Sequence, residues 1–82
     1  MSYLYLIKSE AKAWTYIGST TNLRQRFSSH QSGKVRSTKA HRPFQLIYYE
    51  AYETYSLARK REIELKDNSQ QKELLYKRLG LT

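Results

Sequence analysis

Reactive side chains in this sequence stand where a helix or strand would normally bury apolar ones. Leu23, Arg26, Phe27 and His30 fall at i, i+3, i+4 and i+7, on one face of a helix. An arginine and a histidine on such a stripe either snorkel out and form satisfied core polar groups, or they line a site. Tyr55, Ala58, Glu62 and Leu65 are spaced i, i+3, i+7 and i+10, which sets a carboxylate among apolar residues. A buried carboxylate is costly unless a cation or a metal holds it. An ion pair of Glu62 with Arg26 or a nearby lysine is the plain alternative. Tyr5 and Tyr16 lie in two aromatic, β-prone runs, and each alone reads as a core residue with a bonded hydroxyl.

Brought together, these groups suit metal-assisted hydrolysis of a phosphodiester. A carboxylate would hold a divalent cation that stabilises the phosphate and the leaving oxygen. An arginine would offset charge developing on the phosphate. A hydroxyl or an imidazole would take the proton of the attacking water. Other chemistries lack their parts: there is no cysteine, no Gly-rich phosphate loop and no HxxxH zinc pair.

The elements needed to position these residues can be read off in order. Tyr3–Ile7 and Ala13–Ile17 predict two strands joined by a short polar link, with Gly18 closing the second and permitting a tight exit. Ser19-Thr20-Thr21-Asn22 then supplies helix caps for a helix from Leu23 to Gln31, stopped by Ser32-Gly33. Lys34 to Pro43 is a basic loop. Phe44–Tyr52 is the strongest strand, and its apolar continuity predicts the centre of the sheet. Thr54 caps a helix from Tyr55 to Lys66, and a third runs from Gln70 to Leu79 before Gly80. The order ββαβαα predicts an α+β domain, a three-stranded sheet with helices packed on it.

Charge narrows the partner. Fifteen Lys and Arg against seven Asp and Glu give +8. No acid lies between Glu10 and Glu50, a stretch holding Lys12, Arg24, Arg26, Lys34, Arg36, Lys39, Arg42, His30 and His41. A one-signed half of this kind is the footprint of a polyanion binder. Eighty-two residues allow one domain, 1–82, and no second. With no disulfide available, packing rests largely on eight tyrosines, one tryptophan and two phenylalanines. No apolar run approaches a membrane span and the N-terminus lacks signal-peptide features, so the expected location is the cytoplasm.

The same residues carry a family resemblance. Leu4-Tyr5-Leu6 followed by Tyr16-Ile17-Gly18 resembles the two signatures of the GIY-YIG nuclease superfamily, the first keeping only its tyrosine. The run from Tyr16 to Phe27, then His30, extends the likeness, as do Arg42-Pro43 ahead of Leu46-Ile47-Tyr48 and the segment Ala58 to Lys66. It covers about Tyr3 to Leu75 and is closest to the small single-domain bacterial members. The resemblance implies a three-stranded antiparallel sheet flanked by helices, with Tyr5 and Tyr16 lining an active site. It further implies Arg26 on the scissile phosphate, His30 near the nucleophilic water, and Glu62 holding a single Mg²⁺ or Mn²⁺. Tyr5 is the first choice of general base, with Tyr16 or His30 second. Ser19 stands where some members have a lysine.

The expected function is a divalent-metal-dependent endonuclease acting on DNA, single- or double-stranded, in repair or recombination, with a protein partner as one source of specificity. The alternative is a nucleic-acid-binding module of the same fold that turns over slowly or not at all. Arg24, Lys34, Arg36, Lys39, His41 and Arg42 would hold phosphates, setting affinity and salt slope more than catalysis. Trp14, Tyr48, Tyr49 and Tyr52 would either stack on unpaired bases or fill the core.

Overall fold

A computed structural model describes residues 1–81. Its elements are β1 (Ser2–Ser9), β2 (Thr15–Thr20), α1 (Leu23–Gln31), a short 3-10 turn at Lys39–His41, β3 (Phe44–Tyr52), α2 (Tyr55–Asp67) and α3 (Ser69–Arg78). The predicted order ββαβαα holds, and the three strands form one antiparallel sheet.

The sheet order is β2-β1-β3, which corrects the expectation that Phe44–Tyr52 lies at the centre. The central strand is β1, whose Leu4, Tyr5, Leu6 and Ile7 are all buried. The unbroken apolar run of β3 has another cause. Leu6 pairs with Tyr48 but Ile7 pairs with Leu46, so Ile47 is the extra residue of a β-bulge. Ile47 and Tyr48 therefore both pack against the cluster of Leu4 and Leu6, while Leu46 packs on the opposite side with Ile7. The bulge breaks the strand's alternation, and continuity in the sequence does not mean a central place in the sheet.

The two sheet faces differ in what covers them. On one, Leu4, Leu6 and Ile17 pack with Leu65 of α2 and Leu75 of α3 in the main core. On the other, Tyr5, Ile7 and Phe44 lie beneath Trp14, Tyr16 and the α1 side chains Leu23 and Phe27. His30 is the one buried residue of α1, so the polar stripe is the part of that helix that goes in deepest.

Local signals place the helices. Asn22 Oδ1 accepts from Gln25 N–H at the start of α1, and Thr54 Oγ1 accepts from Leu57 N–H at the start of α2. Asn68 ends α2 and caps α3 by accepting from Gln70 and Gln71 N–H. At the far end of α1 the Gln31 amide makes two bonds with the backbone of Phe44, at 2.7 and 2.9 Å. That clamp fixes His30, one residue earlier, over β1.

β2 begins later and ends later than expected. It runs through Gly18 to Thr20, leaving Trp14 outside the strand. Gly18 thus makes no exit. It pairs with Tyr5, and a Cβ built there would lie within 2.6 Å of Tyr5 Cζ. The glycine lets the tyrosine ring lie across β2.

Candidate active site

Register decides which side chains meet. Tyr5 pairs with Gly18, and Ile7 with Tyr16, so Tyr5 and Tyr16 rise on the α1 face. Their ring centroids are 6.5 Å apart, and the His30 ring lies 5.6 Å from Tyr5 and 5.4 Å from Tyr16. Three of the expected residues are therefore one cluster.

A hydrogen-bond chain runs through it. The Tyr5 hydroxyl lies 2.7 Å from His30 Nε2, and His30 Nδ1 lies 2.8 Å from Thr38 Oγ1. Thr38 donates to the Val35 carbonyl at 3.3 Å, so its oxygen is left to accept from Nδ1–H. Nε2 then carries a lone pair and accepts from Tyr5. His30 and Thr38 are both fully buried. Burial first, and the positive charge of Arg26 second, push the imidazole pKa down to about 4, so the ring is neutral near pH 7. Burial pushes the Tyr5 hydroxyl up to about 12, against the pull of nearby Arg26 toward the phenolate. The phenol keeps its proton.

Arg26 reaches this cluster from α1, and its buried Nε has no hydrogen-bond partner. An orphaned guanidinium nitrogen with no anion beside it is an unmet demand for an acceptor. It lines a cleft of about 430 Å³ together with Ser19, Thr20, Thr21 and Tyr55.

Glu62 reaches Ser19, in the wall of this cleft, from the opposite sheet face. It is 5% exposed and bound by three donors. Ser19 Oγ donates to Oε1 at 2.5 Å, Arg59 pairs with Oε1 at 2.9 Å, and Lys66 Nζ donates to Oε2 at 2.7 Å. Burial raises the carboxyl pKa, but the bonds from Lys66, Ser19 and Arg59 outweigh it, and the net shift is downward. Glu62 is a carboxylate at neutral pH. The expected pairing with Arg26 is not made; the alternative of a nearby lysine is, through Lys66. That lysine also sits 5.1 Å above the Tyr16 ring, reaching around the outer edge of β2.

A divalent metal fits this carboxylate chemically. Among the described residues no group of three His, Cys, Asp or Glu forms a closed cage. Mg²⁺ and Mn²⁺ need none, since a carboxylate, water and a substrate phosphate commonly complete the shell. The Arg59 and Lys66 side chains are 49% and 41% exposed, so both are free to swing into solvent when a cation takes the oxygens.

The expected phosphate-binding residues divide. Arg24, Lys34, Arg36, Lys39 and Arg42 are exposed, and Arg24 and Lys34 flank one groove along α1 with Ser28 and Ser32. Arg42 also bonds the Lys39 carbonyl at 3.0 Å and lies over Gly33 (φ 80°), closing its own loop. His41 differs: its ring stacks on Trp14, centroids 3.7 Å apart and planes at 9°. Sequence reasoning missed Thr38, Ser19 as a Glu62 partner, and Arg59. The i−3 and i+4 spacings of Arg59 and Lys66 about Glu62 were the available signal; Thr38, in a loop, left none.

This geometry agrees with the comparisons. The family model described as GIY-YIG catalytic domain matches residues 1–76. The chain belongs to the GIY-YIG family. Relatives include UPF0213 proteins of Staphylococcus haemolyticus and Staphylococcus saprophyticus, each 38% identical over 73 residues. A UPF0213 protein of Staphylococcus aureus is 37% identical over the same length. Each match covers 88% of this chain and 88% of the relative. No solved structure matches the chain. Membership implies nuclease-type function and a nucleic-acid substrate. No helix among the described residues is long and apolar enough to cross a membrane.

Proposed function

We propose that this GIY-YIG domain is a divalent-metal-dependent endonuclease that hydrolyses DNA phosphodiester bonds, with Tyr5 as general base and His30 as the acceptor behind it. The observation that carries the reading is the chain from Tyr5 through His30 to Thr38, set beside an arginine whose buried Nε has no partner. A scissile phosphate in the cleft would supply the acceptor that Arg26 Nε lacks.

A water oxygen attacks phosphorus as the P–O bond to the leaving oxygen breaks. Its proton passes to the Tyr5 oxygen, while the Tyr5 proton passes to His30 Nε2. The leaving oxygen takes a proton from solvent. A phenol at about pKa 12 makes a poor phenolate, so the coupled transfer matters: Tyr5 never carries a full negative charge. Phosphate binding assists it, because an anion beside Arg26 offsets the charge that depresses the imidazole. Thr38 holds the tautomer, Tyr16 walls the cluster, and Gly18 leaves room for the Tyr5 ring. Glu62, with Ser19 beside it, would hold the single Mg²⁺ or Mn²⁺, which supplies charge stabilisation of the phosphate and leaving oxygen. Arg24, Lys34, Arg36, Lys39 and Arg42 would track the phosphates on either side.

The test is cleavage of labelled DNA with Mg²⁺, Mn²⁺ or EDTA by wild type, Glu62→Ala and Tyr5→Phe. Metal-dependent cutting that both substitutions abolish is the expected result. One observation favours the second reading, a binding module: both Glu62 oxygens are already held by cations. Salt-sensitive binding with no cut under any metal would select that reading instead.

A further inference from the structure

Four aromatic residues beyond the catalytic cluster were candidates for stacking on bases, and the fold uses up three. The Tyr48 and Tyr52 hydroxyls donate to Glu50 at 2.6 and 2.5 Å, and Arg61 closes that network. Trp14 is covered by His41. Tyr49 remains, 54% exposed on the edge strand β3. Its aromatic neighbour is Tyr3, edge-on at 6.0 Å and 70°.

Tyr49 pairs directly with Tyr5 in the sheet and therefore points to the same face. There it lines a cavity of about 490 Å³ with Tyr3, Leu23, Phe27 and Leu46. Thr21 and Arg24 stand at the polar end, and Thr21 also lines the cleft that holds Arg26. The cavity thus adjoins the cleft of Arg26. Its volume is in the range of small-ligand pockets, its walls are aromatic and aliphatic, and no acid lines it.

We propose that this cavity receives one unpaired nucleobase of the bound strand, stacked on Tyr49, with Arg24 on the adjoining phosphate. The inference rests on the nucleic-acid reading of the domain and sharpens it. A base inside a duplex is stacked and paired and cannot enter, so the substrate is single-stranded or unpaired beside the cut. Charge selects this occupant over an ordinary protein side chain: an apolar slot rimmed by arginine, in a half of the chain free of acids, matches a base attached to a phosphate.

Binding in EDTA separates this from cleavage. Fluorescence anisotropy with one labelled oligonucleotide, single-stranded or annealed to its complement at fixed salt, compares wild type, Tyr49→Ala and Tyr49→Phe. One base–aromatic stack predicts a loss of about 5- to 150-fold for Tyr49→Ala on the single strand. The duplex should change by less than about twofold, and Tyr49→Phe, which keeps the ring, should bind like wild type. An abasic nucleotide at one position should weaken wild type by the same factor and leave Tyr49→Ala unaffected. Equal losses on both forms, or no loss, overturn the proposal. So does a Tyr49→Ala protein whose changed property is self-association in sedimentation, which makes the cavity an interface between copies. If wild type binds neither form, the nucleic-acid reading falls and the pocket with it; if it binds but never cuts, only the cleavage reading falls.

Discussion

The buried neutral histidine has a thermodynamic consequence that can be measured without substrate. In the unfolded chain an imidazole takes up its proton near pH 6.5. In the fold His30 resists until about pH 4, because the ring is fully buried and faces Arg26. Between these values the unfolded state binds the extra proton, so stability falls as pH falls. Integrating that difference gives a loss of about 2 kcal/mol by pH 5 and about 3 kcal/mol below pH 4. Urea unfolding at pH 7.5 and pH 5 reads it as a midpoint drop of roughly 1–2 M for a chain of this size. Glu50 and Glu62 have lowered pKa values and also lose stability in acid, but below the ordinary carboxylate range and so in a later window. His30→Gln should flatten the decline between pH 7.5 and 5. A wild-type midpoint that does not move over this range, or a His30→Gln protein that declines in parallel, would refute a buried neutral imidazole. The proton relay would then lose its acceptor.

Further substitutions probe the other contacts. Thr38→Val leaves Nδ1–H buried without an acceptor and removes the preference for the productive tautomer; kcat should fall by about 5- to 100-fold with KM little changed, and Thr38→Ser should restore it. Gly18→Ala drives a methyl group into the Tyr5 ring, and should cost about 1–3 kcal/mol in urea unfolding as well as most of the activity. Glu62→Gln should abolish metal-stimulated cleavage yet hold DNA in EDTA within a few-fold of wild type, measured by anisotropy. Removing the exposed Arg36 and Lys39 together should lower the slope of log affinity against log salt by about 1.4 on single strands and leave the catalytic rate at saturation unchanged.

The sequence was legible where local chemistry decides the outcome and opaque where pairing does. Helix starts were readable because Asn22 and Thr54 each place one capping oxygen three residues ahead of a helical N–H. The clusters of Tyr5, Tyr16 and His30 and of Glu62 with a lysine were readable as polar residues on apolar stripes. Sheet order was not, because a bulge at Ile47 gives an edge strand the unbroken apolar run of a central one. Gly18 was misread for a related reason: a glycine in sequence signals a turn, while its use here depends on which tyrosine lies across from it. Thr38 and Ser19 act through partners 8 and 43 residues away, distances at which no periodicity speaks.

The placement of Gly18 also explains how an arrangement split between two sheet faces can act as one site. Ser19 pairs with Leu4 and so belongs with α2 and the main core, where Glu62 comes from; Tyr5, Tyr16, Arg26 and His30 lie on the other face. A sheet normally insulates its faces from each other. Here β2 is the outer strand, and its missing side chain at Gly18 lets the Tyr5 ring lie across it toward the free edge. Lys66 approaches that edge from the other side, holding Glu62 and reaching Tyr16. Carboxylate and hydroxyl can therefore address one phosphate only if it sits at the β2 edge, in the cleft of Ser19, Thr20, Thr21 and Arg26. Thr21 lines both this cleft and the cavity of Tyr49, so the two open onto the same segment after β2.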